Sequence, residues 1–78
     1  MEKVKIGDKV IWRGGWGSDA PQEATVTGME ITEQPRSKYG EEATEAPWFL
    51  VEENRVIFDL DNGHWAYGEQ ISQIPVGV

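Results

Sequence analysis

The chain has 78 residues, no cysteine and one histidine, His64. Without thiols no disulfide can staple the fold, so the hydrophobic core has to hold it alone. One imidazole is too few for a zinc centre, which needs several converging nitrogen or sulfur ligands, and no metal is expected. No stretch approaches the roughly 18 consecutive apolar residues of a membrane span. The opening Met1-Glu2-Lys3-Val4-Lys5 has no apolar run of the kind a secretory signal carries. A cytoplasmic chain without membrane contact is therefore expected, and the lack of cysteine agrees with a reducing compartment.

Positive charge is also scarce. Seven Lys and Arg stand against fourteen Asp and Glu, a net charge of −7. The imbalance is concentrated in residues 30–61, where nine acids face only Arg36, Lys38 and Arg55. Binding to DNA or RNA rests on Lys and Arg neutralising phosphates, so no direct nucleic-acid contact is expected. The charge suits a basic protein or peptide partner better.

Catalytic and cofactor motifs are missing as well. The glycines of Arg13-Gly14-Gly15-Trp16-Gly17 and Gly63-His64-Trp65 lack the Gly-Lys-Ser/Thr ending of a phosphate loop. His64 with Asp61 or Asp59 is the obvious acid–base candidate, but it has no companion nucleophile and sits at a hairpin tip, where no cleft excludes water. Glu41-Glu42 and Glu52-Glu53 lack the oxygen-ligand spacing of a calcium loop. The chain is expected not to be an enzyme and to hold no cofactor.

What the chain does have is aromatics: four Trp, two Phe and two Tyr. Each can bury on the order of 150–250 Å², enough for one small domain spanning 1–78 with its core at 5–74. The clearest local signal is Arg55–Ile74, RVIFDLDNGHWAYGEQISQI. Asn62-Gly63 suits the centre of a two-residue type I′ turn. That register would pair Asp61 with His64, Leu60 with Trp65, Asp59 with Ala66 and Phe58 with Tyr67, sending Trp65 and Tyr67 to the core.

Elsewhere the pattern is of short strands between Gly- and Pro-rich loops. Lys9–Arg13 alternates, with Val10 and Trp12 on one side. Residues 13–22 lose periodicity and form a long loop containing Trp16. Glu23–Glu33 alternates but slips phase at Gly28, the signature of a bulge. Gln34–Glu42 is a second loop, with Tyr39 as its large ring. Trp48–Val51 reads as a strand, turned at Glu53-Asn54 so that Phe49 and Val51 face Phe58 and Val56. A single 3₁₀ turn is expected after Tyr67, followed by a closing strand with Ile71 and Ile74 inward.

Five short strands, a long first loop, a glycine-kinked second strand and a 3₁₀ turn before the last strand resemble a Src-homology-3-like barrel. Lys5-Ile6-Gly7-Asp8-Lys9-Val10 and Val56–Gly63 are similar to segments of Tudor-type and KOW-type domains within that superfold. The resemblance implies an all-β barrel of five strands and a non-enzymatic interaction module. Its ligand surface would use loop aromatics, with Trp12, Trp16, Tyr39 and Trp48 as the partner-binding candidates. Two other roles fit the same residues: a small structural or assembly subunit, and an acidic mimic of nucleic acid.

Overall fold

The computed structural model of the chain describes residues 3–14, 19–35 and 37–74. Its organising element is β3 (Gln22–Ile31), whose ten residues pair along both edges. Along one edge run β2 (Lys9–Trp12) and then β4 (Glu41–Ala43); along the other runs β6 (Val56–Leu60), all antiparallel. One strand can serve three partners because it bends. Its pairing with β6 shifts between Val26 and Gly28, as the phase slip at Gly28 predicts. Ala24 and Val26 before the bulge and Met29 after it are all buried.

The sheet continues outward from β6 to β7 (Trp65–Tyr67) and from β2 to β8 (Ile71–Ser72). A separate two-stranded sheet joins β1 (Lys3–Lys5) to β5 (Glu45–Pro47), with Lys3 Nζ 2.8 Å from Glu45 Oε2. That hydrogen bond, and then the ammonium charge, hold the Glu45 carboxyl below its ordinary range. Between β1 and β2, Gly7 takes φ +97° and the Asp8 N–H donates to the Lys5 carbonyl at 3.0 Å. A left-handed third position is what a type II turn requires. The turn docks on β3 through Gly7 N–H to the Val26 carbonyl at 2.8 Å and Val26 N–H to the Asp8 carbonyl at 2.9 Å.

The all-β, antiparallel expectation is met, but the strands number eight among the described residues and not five. Nor do they close: no pairing among those residues joins β7 to β8. One core nonetheless serves both sheets, with Val4 and Ala46 of the small sheet clustered with Val10, Val26, Val56 and Phe58 of the large one. The radius of gyration, 11.4 Å, is close to the roughly 11.5 Å expected of a compact chain this long.

Two local expectations are corrected. Trp48–Val51 is not a strand but the start of a one-turn helix, α1 (Trp48–Glu52). Its buried residues Trp48 and Val51 are three apart, a helical spacing, whereas alternation would have buried Phe49 and Val51 together. Phe49 consequently lies 57% exposed. The helix stops in a Schellman motif: Asn54 takes φ +61°, its N–H donates to the Val51 carbonyl at 3.0 Å, and the Arg55 N–H donates to the Leu50 carbonyl at 2.9 Å.

The second correction is the β6–β7 register. Asp59 faces Trp65, Phe58 faces Ala66 and Ile57 faces Tyr67, one residue away from the two-residue-turn pairing. Gly63 alone in this turn has positive φ, +84°, and its N–H donates to the Leu60 carbonyl at 3.1 Å, while Leu60 N–H donates to the His64 carbonyl at 2.9 Å. This is a three-residue loop with glycine in the left-handed last position. Asn62 Oδ1 accepts the His64 N–H at 2.9 Å and fixes it. The small Ala66 thereby faces the core opposite Phe58, and Trp65 turns to solvent.

Candidate aromatic and acidic face

The register shift determines which residues share the outer surface of the large sheet. Reading across β4, β3, β6 and β7, one row holds Glu42, Glu30, Ile57 and Tyr67. The next holds Gly28, Asp59 and Trp65. Carboxylates gather at one side of this face and rings at the other. Trp65 is 56% exposed and meets Tyr67 edge-on, with ring centroids 5.2 Å apart at 85°.

Two clefts open on this face. The aromatic one, about 340 Å³, is lined by Glu30, Lys38, Ile57, Asp59, Trp65 and Tyr67. The acidic one, about 670 Å³, runs past Ile6, Gly28 and Glu42 and shares Glu30 and Asp59 as a common wall. Gly28 belongs here for a steric reason: a Cβ on it would lie 3.0 Å from Asp59 Oδ2. Its bare backbone makes room for that carboxylate.

Glu30 and Glu42 are directly opposed across two strands, an arrangement that costs stability because like charges repel. Neither they nor Asp59 forms an ion pair within the described residues, where the bridges are Lys3–Glu45, Lys9–Glu23 and Arg55–Glu53. Glu30 and Asp59 line the aromatic cleft beside the exposed indole of Trp65, and the face of an indole attracts cations through its quadrupole. Among the described residues no group of three or more His, Asp or Glu side chains is arranged to hold a metal ion.

The residues that sequence reasoning assigned to a ligand surface are not brought together. Trp12 and Trp48 are each only 9% exposed and belong to the core. Both indole N–H groups are buried without a hydrogen-bond partner among the described residues, so these rings act through the area they bury. Trp12 also stacks beneath His64, with centroids 4.9 Å apart and planes at 25°. Tyr39 is 85% exposed but lines a different cleft, with Arg55, Glu33 and Glu41. Trp16 lies outside the described residues. Tyr67 is buried at 8% exposure, as expected, although it lines the aromatic cleft; Trp65, expected inside, is the ring that stands exposed on this face. The signal that could have found Trp65 outside is Ala66, a small residue between two large ones that suits the crowded core position opposite Phe58.

The 3₁₀ turn Gly68–Gln70 holds this face in place from below. Gln70 Oε1 accepts the Tyr67 N–H at 3.1 Å, and its Nε2 donates to the Arg13 carbonyl at 3.2 Å. One side chain thus links the end of β7 to the chain just after β2. No protein-family model, no curated protein and no solved structure matches this chain.

Proposed function

We propose that the chain is a non-enzymatic interaction module that binds a basic peptide segment of a protein partner on the outer face of β4, β3, β6 and β7. The observation that carries this reading is the opposition of Glu30 and Glu42 near the exposed Trp65, which the buried Tyr67 supports edge-on. Repelling carboxylates beside an exposed ring weaken a free protein and strengthen its complex with a cation. Trp65 supplies apolar area at small entropic cost, and Glu30, Glu42 and Asp59 supply steering and charge complementarity. A Src-homology-3-like origin for the sheet remains part of this proposal. The glycine bulge in β3 and the 3₁₀ turn before the last strand support it.

The test is a calorimetric titration of the intact chain with a short Arg/Lys-rich peptide, repeated with Trp65→Ala. Loss of an aromatic anchor should weaken binding by roughly 30-fold, the level of an interface hot spot. Stability should fall by only about 1 kcal/mol, because the exposed ring contributes little beyond its edge contact with Tyr67. Equal binding by wild type and variant, or no binding by either, sinks the proposal.

A further inference from the structure

The aromatic cleft has one basic lining residue among those described, Lys38. It arrives from the loop between β3 and β4, at the tip of a local turn. The Ser37 hydroxyl accepts the Tyr39 N–H at 3.3 Å and donates to the Tyr39 carbonyl at 3.1 Å, clasping the backbone on both sides of Lys38. The Ser37 N–H in turn donates to the Gln34 carbonyl at 3.3 Å. The clasp sends Tyr39 to one cleft and Lys38 to the other.

Among the described residues Lys38 makes no ion pair and no side-chain hydrogen bond, in contrast to Lys3 and Lys9, which pair with Glu45 and Glu23. It shares the cleft wall with Glu30, Asp59, Trp65 and Tyr67 and is fastened to none of them. We infer that Lys38 is a built-in occupant of the cleft, standing where a cationic side chain of the partner binds and leaving when that side chain arrives. This rests on the reading of the face as a site for basic peptides. Tethering makes the competition intramolecular, so it acts at every protein concentration. The affinity seen from outside is the intrinsic affinity reduced by the fraction of molecules whose cleft is open.

The experiment titrates the intact chain, Lys38→Gln and Lys9→Gln with the same Arg/Lys-rich peptide. Lys38→Gln should bind roughly three- to tenfold more tightly, the factor expected if Lys38 fills the cleft in about two thirds to nine tenths of molecules. Lys9→Gln removes the same charge far from the cleft and should tighten binding less than about twofold, since screening limits a remote charge. Equal gains in both variants would reduce Lys38 to a general field effect, and weaker binding by Lys38→Gln would make it a partner contact; either overturns the inference. A readout without peptide separates this inference from the reading beneath it. The Trp65 indole N–H resonance in the NMR spectrum should move in Lys38→Gln and stay in Lys9→Gln, and an unmoved resonance in Lys38→Gln overturns the occupancy whatever the peptide does. A moved resonance with no peptide binding leaves Lys38 in the cleft and refutes the peptide site instead.

Discussion

At the scale of single residues, the tryptophans divide by what lies opposite them and not by the loops around them. Trp12 and Trp48 fill the core, and Trp65 is turned outward by one step of strand register. Alternation put Val10 and Trp12 on one side of β2, but Ile11 on the other side left neither face wholly polar, and Trp12, expected at a ligand surface, lies in the core. The face was not legible at Trp65, because Trp65 and Ala66 are both acceptable core residues and only the volume of Phe58 decides between them. Among the described glycines the tightest steric point is Gly68, where a Cβ would press directly on the Val51 carbonyl oxygen. Gly68→Ala should push α1 away from the 3₁₀ turn and cost about 1–3 kcal/mol, read as a lower urea midpoint. An unchanged midpoint would mean that the two backbones do not approach as closely as described.

At the scale of elements, turn chemistry explains both what could be read and what could not. Asn62-Gly63 announced a hairpin, and a hairpin is present. The same dipeptide serves a two-residue loop with both residues left-handed and a three-residue loop with only the glycine so, and these differ by one step of register. The Gly28 bulge was readable because a phase slip has few other causes. Residues 48–52 were not, because WFLVE has enough apolar residues to satisfy either period and the helix is too short to reveal its own. Asn54 carried the missing information, as it stops α1 at φ +61° and its Oδ1 accepts the Glu69 N–H at 3.1 Å. Asn54→Ala should cost about 1–2 kcal/mol through loss of that bond and the poor left-handed tolerance of alanine. Asn54→Gly, which loses only the bond, should cost less. Thermal unfolding of the two variants checks the order, and equal losses would assign the whole effect to the Glu69 contact.

At the scale of the molecule, charge and stability pull in opposite directions. The net charge of −7 was plain from composition, but its arrangement needed the pairing of β4 with β3, which no local pattern announces. Replacing Glu42 by glutamine relieves its opposition to Glu30 and should raise stability by about 0.2–1 kcal/mol. The same change should weaken binding of a basic peptide by a few-fold, so denaturation and titration should move in opposite senses. A variant that loses both stability and affinity would show that Glu42 has a structural role instead. The same strand has an outer edge that pairs with nothing among the described residues, and it carries Glu41 and Glu42 within three residues. A second copy adding its own β4 there would bring carboxylates against carboxylates along a very short ladder. The glutamates that would draw in a basic peptide thus also guard an open sheet edge against self-association.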